Sequence, residues 1–128
     1  YAIKYTSERQ AFGKTLDSFQ ALRHKIAEMA SRVEMCKEFN YSIAKRLNDG
    51  GYVVKEASMS KLLSTKMADE VIYDALQLLG GYGYMEEYPM ARLLRDSRLG
   101  PIGGGTSEIL KEIIAKIVID GKEYKPVT

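Results

Sequence analysis

The residues best suited to holding a ligand lie in three glycine-bearing stretches. The first is Arg9-Gln10-Ala11-Phe12-Gly13-Lys14, a polar loop carrying a guanidinium, an aromatic and a glycine. Within this polar loop Phe12 reads as a buried aromatic. The second is Gln77-Leu78-Leu79-Gly80-Gly81-Tyr82-Gly83-Tyr84, whose glycines allow close backbone approach. It resembles a dinucleotide fingerprint only superficially, because it follows a helix rather than a strand and its spacing is wrong. The third is Pro101-Ile102-Gly103-Gly104-Gly105-Thr106-Ser107-Glu108. Three successive glycines favour positive φ over helix. Thr106 is expected to N-cap a last helix from Ser107 to about Ile119, with Glu108 complementing its dipole. Such a loop offers backbone N–H groups to an anionic or polar ligand, and serves equally well as a plain connection.

Other reactive types carry less. His24 stands inside a helix with no metal-ligand spacing around it, so an exposed or structural role is expected. Cys36 falls on an apolar stripe and reads as core. Glu86 and Glu87 are adjacent and read as solvated. Tyr82, Tyr84 and Tyr88 can stack on a ring or wedge between helices. Arg92, Arg95 and Arg98 read as a solvated or salt-bridged helix face. Nothing forms a Ser/His/Asp set, and no catalytic or metal-binding residue is assigned from spacing.

Composition narrows the classes. At 128 residues one domain is expected, 45% hydrophobic and 28% charged. A net charge of +2 with interspersed signs gives no footprint for nucleic acid or an anionic membrane. One cysteine excludes an intramolecular disulfide. No apolar run approaches the ~20 residues of a membrane span, and no signal-peptide pattern is present. The chain opens on Tyr1 rather than Met, as a processed product or a piece of something longer would.

The positioning elements follow from periodicity. Tyr1 to Glu8 reads as the last two turns of a helix. Asp17 or Ser18 is expected to cap the next one, Asp17 pairing with Gln20 in a capping box. From Phe19 the stripe runs through Leu22, Ile26, Met29, Val33, Cys36, Phe39 or Tyr41, Ile43 and Leu47. Asn48-Asp49-Gly50-Gly51 ends it, Gly50 or Gly51 taking the left-handed position. A third helix is expected from about Val53 to Leu79, with Ala57, Leu62, Met67, Val71 and Leu79 as its main stripe. Leu63, Ala68, Ile72, Ala75 and Leu76 widen that stripe, so this helix is expected to be buried on more than one side. Pro89 opens a short helix, Met90 to about Leu99, and residues 121–128 read as a polar tail. No strand is expected. The fold class is all-α, an antiparallel up-and-down bundle of four-helix type with its first helix truncated; such a bundle exposes an apolar groove that something must cover.

Taken together, Arg9 to Lys14 with Gln20, Gln77 to Tyr84, Tyr88-Pro89, Arg95-Asp96 and Gly104-Gly105-Thr106-Ser107-Glu108-Ile109 resemble the C-terminal domain of the acyl-CoA dehydrogenases. Order and spacing match from Tyr1 to about Ile119. The resemblance implies a helical domain of an FAD enzyme that oxidises an acyl-CoA thioester to the trans-2-enoyl-CoA. In that family a carboxylate takes the α-proton, the β-hydride goes to the flavin, and an electron-transfer flavoprotein accepts the electrons. The implied FAD contacts are Arg9, Phe12, Gln20, Gln77, Gly80, Gly81, Thr106 and Glu108, with Gly105 against the substrate. On the residues alone, Gln20 reads equally as a capping partner and Phe12 as a plug for the bundle end. The arginine loop and the glutamine-glycine segment would reach the flavin of a neighbouring subunit, making a homodimer or homotetramer. A cytoplasmic or mitochondrial-matrix setting is implied.

Two departures bear on activity. Many members carry the catalytic glutamate at the position of Gly104, and a glycine cannot take a proton. Long-chain and isovaleryl types also lack it there and place the base on a preceding helix of the bundle. The family's N-terminal helical domain and middle β-domain do not fall within these 128 residues. The expectation is therefore the C-terminal portion of an acyl-CoA dehydrogenase, inactive as this chain alone. The alternative is a non-catalytic helical interaction module of the same fold.

Overall fold

The computed structural model describes residues 1–124. Its helices are α1 (Ala2–Glu8), α2 (Gln20–Asn48), α3 (Val54–Leu79), α4 (Gly81–Tyr84), α5 (Pro89–Ser97) and α6 (Ser107–Val118). The antiparallel bundle expected from periodicity is present, with α3 as its spine: α1, α2, α5 and α6 all pack on it. The left-handed stop of α2 falls on Gly50 at φ 79°, and the Gly51 N–H donates to Arg46 O at 2.8 Å.

One end of the core joins Ala2, Met29, Ala75, Leu78, Leu79 and Met90, with Leu22, Ile26 and Tyr5 packed against them. Farther along, Cys36, Ile43, Val53 and Leu110 are buried. The stripe of α2 is covered only at intervals. Met29, Cys36 and Ile43 are buried, whereas Val33, Tyr41 and Leu47 are exposed. That leaves the bared apolar face expected of a bundle with a shortened first helix. On α3, Ala57 and Leu63 are also exposed, against expectation, and Ser58 and Ser60 are buried instead. Hydrogen bonds make this tolerable: the Ser58 hydroxyl donates to Val54 O at 2.8 Å and that of Ser60 to Asn40 Oδ1.

The start of α2 also differs. The stretch expected as loop contains a minimal hairpin, β1 (Gln10–Ala11) antiparallel to β2 (Lys14–Thr15), so the chain does hold strands. A 3₁₀ turn over Leu16–Ser18 follows, and α2 begins at Gln20 with Phe19 in the N-cap position. The capping box does not form. Asp17 instead accepts the Thr15 hydroxyl at 2.6 Å, and Gln20 is the first helical residue rather than the third. The tail expectation is described only to Tyr124, whose N–H donates to the Tyr52 hydroxyl at 2.6 Å; residues 125–128 lie outside the described residues. Among the described residues no helix is long and apolar enough to cross a membrane.

Candidate functional site

The glutamine-glycine segment breaks α3 by conformation. Gly80 takes φ 59° and ψ −134°, its N–H donates to Gln77 O at 3.1 Å, and the chain turns into α4. A Cβ at Gly80 or Gly81 would meet nothing within 4 Å, so both backbones face open space. Gly83 is different: a Cβ there would lie 2.5 Å from Leu76 O. Two of these glycines leave room for a ligand, and the third lets α4 pack.

Arg9 arrives at the same place from α1. Its N–H donates to Tyr5 O at 2.9 Å and its carbonyl accepts from Leu16 N at 2.9 Å, so the backbone is held at both sides. The guanidinium sits 5.8 Å from the centroid of Tyr82, which in turn packs on Tyr5 and Tyr88. A cleft of about 700 Å³ opens between these elements, lined by Arg9, Lys25, Gln77, Gly80, Gly81 and Tyr82 among others. Lys25 is committed to Asp74 at 2.5 Å. Among the described residues Arg9 makes no ion pair, and it supplies the uncommitted positive charge of the cleft. Aromatic shelf, open backbone and available guanidinium together fit a ring-bearing phosphorylated cofactor.

Two expected contacts stand apart from the cleft wall. Phe12 is not a buried plug. It occupies the hairpin tip at φ 52°, 96% exposed, its ring edge-on to Phe19 at 6.4 Å. The tight turn with Gly13 at φ 81° pushes it outward, so type alone misjudged its place. Gln20 is exposed on the first turn of α2.

The third stretch forms a separate centre. Gly104 and Gly105 take φ 64° and 98°, and Pro101 O accepts the Ser107 N–H at 3.0 Å to close the loop. Thr106 caps α6 as expected, its hydroxyl oxygen accepting from Ile109 N at 3.4 Å. Glu108 is exposed, and its own backbone N–H and then the Thr106 hydroxyl hold its carboxyl below the usual range. Sequence reasoning missed Lys61, whose ammonium donates to Gly103 O at 2.7 Å and to Gly105 O. A lysine within a helix carries no local signal of such a contact.

Sixteen residues of α3 separate Lys61 from Gln77, about 24 Å of helix at about 1.5 Å per residue. The expected contacts therefore fall into two groups, too far apart to line one pocket. His24 is exposed and Cys36 buried, as expected; Arg95 and Arg98 pair with Glu86 and Asp69 at 3.8 and 2.7 Å.

Comparison with known proteins gives the same outline. The family model for the acyl-CoA dehydrogenase C-terminal domain matches residues 1–119. An acyl-CoA dehydrogenase of Bacillus subtilis (strain 168) is 40% identical over 121 residues, covering 94% of this chain and 32% of the relative. The caffeyl-CoA reductase-Etf complex subunit CarC of Acetobacterium woodii is 38% identical, covering 92% and 31%. The crystal structure of acyl-CoA dehydrogenase from Geobacillus kaustophilus superposes with a TM-score of 0.91 at 40% identity, covering 92% of this chain and 31% of that one. An FAD complex of PigA follows with a TM-score of 0.86 at 33% identity, covering 90% and 30%. This chain thus spans about a third of the length of the relatives it matches.

Proposed function

The chain belongs to the acyl-CoA dehydrogenase C-terminal domain family, and from that premise we propose that it is the single C-terminal helical domain of an FAD-dependent acyl-CoA dehydrogenase. Residues 1–120 form the bundle, and the tail expected after them is described only to Tyr124. Arg9, Gln77, Gly80 and Gly81 hold the phosphate-bearing part of FAD against the Tyr82 shelf, with Phe12 and Gln20 reaching past the cleft edge. Thr106, Glu108 and Gly105 serve the other centre, Gly105 on the substrate side. A bound flavin supplies the hydride acceptor. This chain supplies binding and orientation and no proton acceptor at residue 104. With the two groups about 24 Å apart on α3, the Arg9 end of one copy and the Thr106 end of another would together hold each flavin. An acyl-CoA thioester is the substrate, and an electron-transfer flavoprotein takes the electrons. A cytoplasmic or mitochondrial-matrix home follows from the same reading.

The observation that carries this is the convergence of Arg9, Gln77, Gly80 and Gly81 on one cleft. The assembled protein should purify yellow. Arg9→Ala should weaken flavin retention by roughly 10- to 100-fold, the loss expected for a charge-assisted contact. Titration of the apoprotein with FAD, read by flavin absorbance, decides it. The second reading, a non-catalytic interaction module, draws on Gly104, where a glycine replaces the acid and φ 64° strains any side chain. A stable, flavin-free oligomer indifferent to Arg9→Ala would select it.

A further inference from the structure

We propose that Lys61 is a positioning residue that locks the triple-glycine loop in its working shape. Glycines give this loop its turn but leave it floppy, since each surrenders more conformational freedom on ordering than any other residue. Something must select one conformation, and no side chain within Gly103-Gly104-Gly105 can do so. Lys61 reaches across from α3 and donates to Gly103 O at 2.7 Å and to Gly105 O, bridging the residue between them. Its stem passes the same point: a Cβ built on Gly104 would lie 4.0 Å from Lys61 Cε. An ammonium carries three donors, so two carbonyls on one nitrogen make a fork that an apolar side chain cannot imitate.

Lys61 is half-buried and has no carboxylate partner among the described residues, so its charge is met by the loop dipoles. The neighbouring side chains reinforce the site. Thr65, one turn along α3, packs where a Cβ on Gly100 would meet its Cγ2 at 3.0 Å. With the Gly103 and Gly105 carbonyls held by the lysine and the Gly103 N–H given to Leu99 O at 2.7 Å, the Gly104 and Gly105 N–H groups have no partner among the described residues. The lock therefore fixes which loop groups stay available and holds Thr106 in register for its cap. The functional consequence rests on the reading of this loop as a cofactor and substrate contact; the lock itself does not.

The test is amide hydrogen exchange by NMR on the 128-residue chain without cofactor. Lys61→Met should raise exchange at the bonded amides of Gly103, Ser107 and Ile109 by roughly tenfold or more, leave Cys36 and Ile43 unchanged, and be substantially reversed in Lys61→Arg. Unchanged exchange in the loop, or an equal rise throughout α2, overturns the proposal. Should Lys61→Met fail to fold, the native chain still decides: the Lys61 ammonium protons should exchange at least severalfold more slowly than those of exposed Lys4. Equal rates overturn the lock. A chain that shows the lock but never retains flavin keeps this inference and sinks the flavin reading.

Discussion

At the scale of single residues, the glutamine-glycine segment separates folding from function. Gly81 and Gly83 are two positions apart, yet one faces open space and the other is wedged under Leu76 and Leu79. Gly83→Ala forces a methyl to within 2.5 Å of a backbone oxygen, so α4 must shift, and unfolding should come about 2 kcal/mol easier. Gly81→Ala meets nothing and keeps an ordinary φ, so its stability should stay within about 0.5 kcal/mol of the parent. If the Gly81 backbone lies against the cofactor, the same methyl should cut FAD affinity. Urea unfolding beside flavin titration checks both; loss of stability without loss of affinity at Gly81 would move the cofactor off this segment. Phe12 belongs to the same scale. At 96% exposed it contributes little to this chain's own core beyond its edge-on contact with Phe19.

At the scale of elements, α3 connects everything, and its first turn is electrostatically tuned. Glu56 sits there, and its own backbone N–H, then Arg46 at 3.2 Å, hold its carboxyl below the ordinary range despite partial burial. A depressed folded-state pKa stabilises the protein above the unfolded-state value, and that contribution disappears as pH falls through the folded one. Glu56→Gln should therefore cost about 0.5–1 kcal/mol at neutral pH and progressively less below the usual glutamate range. Thermal melts of both proteins across that acid limb should converge; parallel curves would refute the assignment. The long helices were legible from their stripes and glycine stops, and Thr106 from its place before an apolar run, because those signals are local. The β1–β2 hairpin was not, since two-residue strands have no period to read. Asp17 was misread because a nearer hydroxyl on Thr15 claimed its carboxylate. The burial of Ser58 and Ser60 in place of Ala57 was hidden for a related reason: their hydroxyls are satisfied by Val54 O and Asn40 Oδ1, partners that residue type alone does not announce. Lys61 is the extreme case: its partners lie 42 and 44 residues away.

For the whole molecule, the separation of the two centres along α3 becomes a prediction about assembly. A closed two-fold pair repeats each contact twice, so a site built from the Arg9 end of one copy and the Thr106 end of the other occurs twice per dimer. Arg9→Ala spoils one end, and Thr106→Asp spoils the other while keeping a good N-cap and setting a negative charge toward an anionic ligand. Either variant alone damages every site. Refolded together in equal amounts, half of the dimers are mixed, and each mixed dimer holds one doubly damaged and one intact site. About a quarter of the original flavin capacity should return, with parental affinity. If both ends of each site came from one chain, every site in the mixture would still carry a defect and nothing would return. The comparison needs no turnover assay, only bound flavin per chain at fixed protein concentration. It also responds to dilution, because mixed dimers must dissociate for capacity to fall.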